Sequence, residues 1–148
     1  MFKNERSVRI EWGDCDPADI VFYPRYFTFF DASTGALFEA MGFTLRYIRD
    51  ELNDVGFPMV DTRSQFFKPS KYGDNVTIES EFTEVGRASF GVRHRLFNEG
   101  CLAVECTEKR VWACHDAEGV LKAKPIPDEI KMKMMRRSEK QESKNKGQ

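Results

Sequence analysis

The first third of the chain changes from a strand pattern to a helix pattern. Residues 7–12 alternate between apolar and polar side chains, which predicts a half-buried strand. A polar, turn-rich segment follows over residues 13–19. From Pro24 to Met41 apolar side chains recur every three or four residues, and Gly42 follows them. This spacing predicts a long helix with proline in its first turn and glycine at its C-cap.

Gly35 lies in the middle of this predicted helix, within a run of small residues. Glycine inside a helix costs about 1 kcal/mol relative to alanine, so its presence requires a reason. We expect Gly35 to admit the close approach of another backbone, as where a curved sheet wraps around a central helix. Simple exposure to solvent is the alternative. A shorter helix is predicted next over residues 45–52, with Thr44 as its N-cap.

The remainder of the folded part is predicted to be mainly strands. Period-two alternation and turn residues predict strands over residues 59–67, 76–83, 90–96 and 102–114. Asn98-Glu99-Gly100 is a hairpin signal, and the alternation slips near Glu108, which predicts a β-bulge there. With a short helix over residues 127–135, the order of elements indicates an α+β protein.

Residues 1–135 are therefore expected to form one domain. Residues 136–148 contain no apolar side chain, so we expect a disordered, charged C-terminal tail.

The composition excludes several classes of protein. Hydrophobic residues make up 41% and aromatic residues 13% of the 148 positions, which excludes disorder for most of the chain. The formal net charge of −1 argues against a dedicated nucleic-acid binder. No apolar run approaches the roughly 18–20 residues of a bilayer span, and the N-terminus lacks a secretory-signal pattern. We therefore expect a cytoplasmic protein with neither a nucleic-acid nor a membrane partner.

The cysteines and histidines do not form a metal-ligand pattern. No C-x2-C pair is present, and the nearest approach to a cluster is Cys114-His115 with Cys106. We expect no metal, and free thiols that are buried or half-buried in strands. His94 shares a strand face with apolar neighbours, which favours a hydrogen-bonded core histidine over a catalytic base.

Two carboxylates, Asp14 and Asp16, lie between the first strand and the start of the long helix. A helix start offers unpaired backbone N–H groups, which can hold a developing oxyanion. A carboxylate beside it can act as a nucleophile or as a general base on water. The arrangement indicates acyl-transfer chemistry, with an ordinary Asp-Pro turn as the alternative. The two charges are expected to raise the pKa of Cys15 between them, so a cysteine nucleophile is not favoured.

Two short motifs carry a fairly specific resemblance, D-C-D-P at residues 14–17 and Y-P at residues 23–24. Weaker matches follow at residues 30–33, 57–58, 66, 72–74 and 87–90. Over most of residues 7–125 the chain resembles the 4-hydroxybenzoyl-CoA thioesterase family of hotdog-fold proteins. The resemblance implies an antiparallel β-sheet wrapped around one long central helix. It also implies a homo-oligomer paired edge to edge, a dimer or a homotetramer, and no cofactor apart from the CoA of the substrate.

The resemblance also implies roles for individual residues. Asp16 is the catalytic carboxylate, which attacks the thioester carbonyl or activates water. The backbone N–H of Tyr23 polarises the carbonyl oxygen. Asp31 matches a helix position that faces the acyl ring hydroxyl in the aryl-specific enzyme.

The substrate-binding residues implied for the rest of the acyl-CoA are more scattered. Arg87 matches a basic turn that contacts the CoA phosphates, although Gly86 and Ala88 flank it here. The alternatives for that contact are the basic side chains of Lys68, Lys71 and Arg110. Two further substrate-binding residues complete the set, the aromatic Phe57 and the hydroxyl-bearing Ser89.

Asp19 is a departure from the family, which usually has glycine at this position. Glycine there indicates a positive φ or a close approach of substrate. Aspartate tolerates the left-handed region better than most residues, but its charge beside Asp16 is expected to lower catalytic efficiency.

The function expected from these residues is hydrolysis of an aryl-CoA or a medium acyl-CoA to free acid and CoA. A non-catalytic module that binds acyl thioesters is one alternative. A hotdog dehydratase is another, but such enzymes typically use a histidine in this region, and residues 1–93 contain none.

Overall fold

The computed structural model describes residues 1–137, so the predicted tail lies outside the described residues from residue 138 onward. The helices and strands are β1 (Lys3–Arg9), α1 (Pro24–Ala40), α2 (Leu45–Asp50), β2 (Met59–Phe66), β3 (Asn75–Val85), β4 (Ser89–Asn98), β5 (Cys101–Val111), β6 (Ala113–His115), β7 (Leu121–Ala123) and α3 (Asp128–Met135).

Five of the strands form one antiparallel sheet in the order β1-β3-β4-β5-β2. The long helix α1 packs on one face of this sheet, against β1, β3 and β4. The strands β6 and β7 form a separate two-stranded hairpin. One long helix against an antiparallel sheet is the α+β hotdog arrangement that the resemblance implied.

The helix α1 forms where the apolar spacing predicts it. Pro24 occupies the first helical position, and Gly42 follows the C-cap residue Met41 with a φ of 94°. The buried face repeats every three or four residues and comprises Tyr26, Phe29, Phe30, Ser33, Thr34, Leu37 and Phe38. Burial of this stripe against the sheet stabilises the helix far more than its intrinsic propensity does.

Gly35 does not have the close neighbour that we expected. A Cβ added at this position would meet no described atom within 4 Å, so no other part of residues 1–137 packs against it. Within a single chain Gly35 therefore faces open space, which corrects the prediction of close packing.

The first strand is displaced from its predicted position. β1 covers Lys3–Arg9 and ends where Arg9 pairs with Asn75, the first residue of β3. Beyond this point Ile10 still exchanges backbone hydrogen bonds with Asp74 and Gly73, which belong to a turn, and the chain then turns through a short 3₁₀ helix at Trp12–Asp14. Trp12 is consequently 71% exposed instead of buried on a strand face.

The bulge predicted near Glu108 does not lie on β5 at that position. β5 pairs with β4 in regular register from Val104 to Val111, with an irregularity at Ala103, and a second irregularity lies on the other neighbour β2 at Val60, opposite Lys109 and Arg110. Glu108 and Arg110 point inward with the apolar residues of β5 and are only 5% and 4% exposed. The alternation slips because two charged residues occupy inward positions, where they pair with each other at 2.8 Å.

The core beneath α1 is divided into two apolar clusters. In one, Phe38 stacks on Phe57 at 4.3 Å and packs against Phe82, Phe90 and Trp112. The other surrounds the first half of α1 and contains aromatic and aliphatic residues including Tyr26, Phe30, Ile78 and Val104. Buried polar residues lie alongside these clusters on α1, β3, β4 and β5, and we call them the polar band: Thr34, Ser80, His94, Glu108 and Arg110.

His94 and the four cysteines differ in how deeply they are buried. His94 is fully buried and hydrogen-bonded, which confirms the predicted core histidine. All four cysteines are free; Cys106 is buried and Cys114 is half-buried, whereas Cys101 is exposed and Cys15 lies in a loop.

Among residues 1–137, no helix combines the length and hydrophobicity required to cross a bilayer.

Candidate active site

The loop between β1 and α1 folds back on itself, and Asp16 lies in this fold. The Asp16 N–H donates to the carbonyl of Ile20 at 2.9 Å, and the Phe22 N–H donates to the carbonyl of Asp14 at 2.8 Å. The Asp16 side chain is held by the Ala18 N–H, which donates to Oδ1 at 2.8 Å. This Asx turn fixes the half-buried Asp16 carboxylate in the loop that leads to Tyr23, the N-cap of α1.

Asp14 has a different environment from Asp16. It is 6% exposed, and its Oδ1 accepts hydrogen bonds from the Arg25 guanidinium at 3.1 and 3.2 Å. Its Oδ2 accepts from the Glu11 N–H at 2.8 Å. Asp14 therefore ties the loop to the first turn of α1, which leaves Asp16 as the candidate carboxylate for the chemistry.

Tyr23 supplies the hydrogen-bond donor at the start of α1. It is the N-cap of a 17-residue helix, and Pro24 after it has no N–H. Within residues 1–137 the Tyr23 N–H donates to no acceptor. A free N–H at the positive end of a helix is suited to stabilise negative charge on a substrate oxygen.

An open cleft of about 680 Å³ lies beside Asp16 and is lined by Trp12, Cys15, Asp16, Pro17, Asp19, Lys71 and Tyr72. Asp19 in this cleft has a φ of 63°, which confirms that the position favours glycine. The exposed rings of Trp12 and Tyr72 form an edge-to-face pair at 5.8 Å. The sequence analysis missed this pair, although two large aromatics beside glycine-containing turns were a usable signal.

Cys15 is not an activated thiol. Desolvation, together with the charges of Asp14 and Asp16, raises the pKa of Cys15. The thiol is therefore protonated at neutral pH, and the carboxylate of Asp16 remains the candidate nucleophile.

A second feature is the place where the first half of α1 faces the edge strand β2, which we call the α1–β2 groove. At one end Phe66 lies 6.4 Å from the ring of Tyr23 and 5.7 Å from that of Tyr26. At the other end Asp31 is 71% exposed and accepts a hydrogen bond from Arg110 Nη2 at 2.9 Å. The groove thus joins an aromatic wall near Tyr23 to a carboxylate two helical turns away.

Two of the expected substrate-binding residues lie inside the fold. Arg110 is 4% exposed and is occupied by Glu108 and Asp31, so it has no free face for a phosphate group. Phe57 is 7% exposed and stacks in the aromatic core, where its carbonyl accepts a hydrogen bond from Arg110 Nη1 at 3.2 Å. The structure therefore removes both from the set of residues that contact CoA or the acyl group directly.

The other basic residues lie at the surface. Lys68 is partly exposed and 3.8 Å from Glu99, whereas Lys71 lines the cleft with Asp16. Arg87 is exposed in the turn from β3 to β4, next to the half-buried Ser89. That turn is closed by the Gly86 N–H, which donates to the Ser89 carbonyl at 2.7 Å.

Asp16 and Arg87 are far apart within one chain. The Asp16 loop is anchored at the beginning of β3, because the Ile10 N–H donates to the Asp74 carbonyl and the Val21 N–H to the Ser70 carbonyl. Arg87 follows the end of β3, an 11-residue strand. At about 3.4 Å per residue the two ends of β3 are separated by roughly 30 Å or more.

The chain matches known proteins over the part that contains both the Asp16 loop and the Arg87 turn. A family model described as the thioesterase-like superfamily matches residues 10–134. The chain belongs to this superfamily. It is also 36% identical over 125 residues to the 4-hydroxybenzoyl-CoA thioesterase of Pseudomonas sp. (strain CBS-3), covering 80% of this chain and 88% of that protein.

Solved structures agree with this assignment. The structure of 4-hydroxybenzoyl CoA thioesterase from Pseudomonas sp. strain CBS-3 matches with a TM-score of 0.83 and 34% identity, over 88% of this chain and 98% of that one. A gentisyl-coenzyme A thioesterase matches with a TM-score of 0.79 and 30% identity, over 90% and 100% of the two chains. These findings confirm the resemblance and the hotdog fold, and they make the chain a thioester hydrolase by class.

Proposed function

We propose that this thioesterase hydrolyses an aryl-CoA of the 4-hydroxybenzoyl-CoA kind, or a medium acyl-CoA, to the free acid and CoA. The observation that carries the proposal is the loop in which an Asx turn holds the Asp16 carboxylate and which leads into the free N–H of Tyr23 at the start of α1. The chemistry requires a group that attacks or activates water and a donor that stabilises the oxyanion. Asp16 would supply the first group and Tyr23 the second.

In the proposed mechanism the thioester carbonyl binds at the start of α1, and its oxygen accepts a hydrogen bond from the Tyr23 N–H. The Asp16 carboxylate then attacks the carbonyl carbon and displaces CoA thiolate, and water hydrolyses the resulting anhydride. In the second route Asp16 takes a proton from a water molecule that attacks the same carbon. Both routes consume one water and yield the acid and CoA.

The acyl group would occupy the α1–β2 groove. Its aromatic wall of Tyr23 and Phe66 suits a flat apolar group, since stacked or edge-to-face rings attract one another. The Asp31 carboxylate at the far end would accept a hydrogen bond from a ring hydroxyl. This favours a hydroxylated aryl group over an aliphatic chain.

The CoA part of the substrate would be bound by two subunits of a homo-oligomer. The outer edge of β2 pairs with no other strand of residues 1–137 and displays Val60 and Phe66, which are 58% and 49% exposed. Such an edge favours pairing with a second copy. A two-fold axis at this edge reverses one sheet, so the Arg87 end of one subunit comes to the Asp16 end of the other.

The test is CoA release from a panel of thioesters: benzoyl-CoA, 4-hydroxybenzoyl-CoA, and short and long aliphatic acyl-CoAs. Products are separated by chromatography, because free protein thiols would react with a thiol dye. The Asp16→Asn variant is expected to lose about 10²–10⁴-fold in kcat, the usual contribution of a positioned acid or base. Asp50→Asn, at a partly exposed carboxylate of α2, is the matched control and should retain full activity.

The second candidate function is a non-catalytic module that binds acyl thioesters, favoured by the charge of Asp19 in the same cleft as Asp16. Tight binding of an acyl-CoA by calorimetry, with no release of CoA from any thioester, would support it and contradict hydrolysis. Release that persists undiminished in Asp16→Asn would contradict the assigned role of that carboxylate.

A further inference from the structure

Behind Asp31 lies a connected series of polar side chains that the hydrolytic chemistry itself does not use. Asp31 Oδ1 lies 2.9 Å from Arg110 Nη2. Arg110 Nε donates to Glu108 Oε2 at 2.8 Å. The other oxygen of Glu108 lies 3.1 Å from Nε2 of His94. The series therefore connects the buried polar band to one exposed carboxylate in the α1–β2 groove.

The buried members are held by further contacts. Thr34 Oγ1 donates to Glu108 Oε2 at 2.8 Å, and Ser80 Oγ lies 2.7 Å from His94 Nδ1. Arg110 Nη1 donates to the Phe57 carbonyl at 3.2 Å, and the His94 ring stacks on Phe30. A guanidinium is a planar fork, so contacts on three of its sides leave it a single orientation.

Glu108 and Arg110 are both charged in this environment. Burial opposes ionisation of Glu108, but hydrogen bonds from His94 and Arg110 outweigh it and lower the pKa of Glu108 to about 2. Burial likewise opposes the charge of Arg110, and its hydrogen bonds with Glu108 and Asp31 raise the pKa of Arg110. A buried ion pair is often no more stabilising than apolar residues of similar volume. Its contribution here is a fixed charge at a fixed place.

We propose that Arg110, held by Glu108, which His94 contacts in turn, is a positioning residue that fixes the Asp31 carboxylate at the far end of the α1–β2 groove. One oxygen of Asp31 is bound by the guanidinium, which orients the second oxygen toward the bound acyl group. The network thereby selects aryl thioesters that carry a hydrogen-bond donor on the ring. This inference rests on the proposed function and adds the buried residues that set its specificity.

The variant that tests this role is Arg110→Lys. Lysine keeps a positive charge next to Glu108, but it lacks the fork that reaches Glu108 and Asp31 together. The measurement is the ratio of kcat/KM for 4-hydroxybenzoyl-CoA to that for benzoyl-CoA. This ratio is expected to exceed one in the wild type and to fall about 10- to 100-fold in Arg110→Lys, the range for a hydrogen bond to a charged group. Hydrolysis of benzoyl-CoA should be little changed.

The matched control is Arg95→Lys. Arg95 is paired with Glu105 at 3.8 Å, and it follows His94 on β4, so it points to the opposite face of the sheet. This variant should keep the wild-type ratio. An equal loss of both substrates in Arg110→Lys, or an unchanged ratio, would overturn the positioning role.

A second pair of variants covers the case in which Arg110→Lys does not fold. Asp31→Asn changes an exposed side chain and should lower the ratio by itself. Glu108→Gln is isosteric and should lower the ratio in the wild type but not in the Asp31→Asn background, because Glu108 acts through Asp31. If Glu108→Gln lowers the ratio of kcat/KM values equally with and without Asp31→Asn, the inference is contradicted.

Binding separates this inference from the proposed function. The affinities of 4-hydroxyphenacyl-CoA and phenacyl-CoA, thioethers that cannot be hydrolysed, are compared by calorimetry in the same variants. If the wild type hydrolyses no thioester, the proposed function fails, and the affinity ratio still tests the network. If the wild type hydrolyses both aryl-CoAs equally and binds both thioethers equally, hydrolysis stands and the network has no role in specificity.

Discussion

Asp14 and Asp16 show how two identical side chains, two positions apart, acquire different roles. Asp14 accepts hydrogen bonds at both oxygens from Arg25 and from the backbone of Glu11. Asp16 accepts one from the backbone of Ala18 and borders the cleft. The motif in the sequence identified the pair, and only the fold of the loop distinguished the carboxylate that is fully hydrogen-bonded from the one that borders the cleft.

At Asp19 the same loop combines an unfavourable conformation with a nearby charge. We predict that Asp19→Gly raises kcat/KM, because it removes a carboxylate from the cleft that contains Asp16. It should also stabilise the fold by up to about 1 kcal/mol, since glycine adopts a φ of 63° without strain. The measurements are thioester hydrolysis and urea denaturation.

Asp19→Asn separates the two effects. It removes the charge and keeps a side chain that tolerates positive φ, so activity should rise without the gain in stability. A decrease in kcat/KM in both variants would show that the Asp19 carboxylate assists the reaction.

At the level of secondary-structure elements, α1 meets the sheet through apolar and polar contacts together. Its apolar stripe was visible in the sequence as residues three or four apart. The polar band was not, because Thr34, His94 and Glu108 lie on three different elements. Glu108 appeared as a break in the strand pattern, and only the contacts of the folded chain show it to be a regular inward position.

The polar band makes the stability of the fold depend on pH. The pKa of Glu108 is lowered from 4.5 to about 2 in the folded protein, so its ionised form stabilises the fold above pH 4.5. This contribution is lost as the pH falls from 4.5 through 2. The free energy of unfolding of Glu108→Gln should lie below that of the wild type at pH 7, and the gap should narrow over this window.

Urea denaturation at several pH values measures that gap. Glu79→Gln, at an exposed residue of β3, is the control and should run parallel to the wild type. A gap that stays constant between pH 7 and pH 2.5 would mean that Glu108 stabilises the fold through its shape and not through its charge.

For the whole molecule, the decisive feature is the separation of Asp16 from Arg87 along β3. Asp16 lies in the loop and Arg87 in the turn that the sequence predicted for each. Their distance follows from the 11-residue strand between them, which the loop positions alone do not reveal. One chain therefore contains both halves of the expected acyl-CoA site at opposite ends of its sheet.

This separation predicts complementation between two defective variants. Asp16→Asn and Arg87→Ala are each expected to hydrolyse low concentrations of substrate poorly. When they are produced together, about one site in four should combine a native Asp16 with a native Arg87 from the other subunit, and activity should recover accordingly. Activity no greater than the sum of the separate variants would contradict a site shared between subunits.

The control mixture pairs Asp16→Asn with the double variant that carries both changes, in which no native site forms. Light scattering on the same samples should show a dimer or a tetramer at micromolar concentration. A monomer would remove the basis of the shared site.

The local pattern by itself determined the helices, most of the strands, the hairpin at Glu99-Gly100 and the loop that carries Asp16, because these depend on spacing and turn chemistry within a few residues. Tertiary structure alone decided where β1 ends, which carboxylate remains free, and that Arg110 supports Asp31 from inside the core. These outcomes depend on contacts between residues 11 to 79 positions apart, and no periodicity along the chain encodes which distant groups will meet.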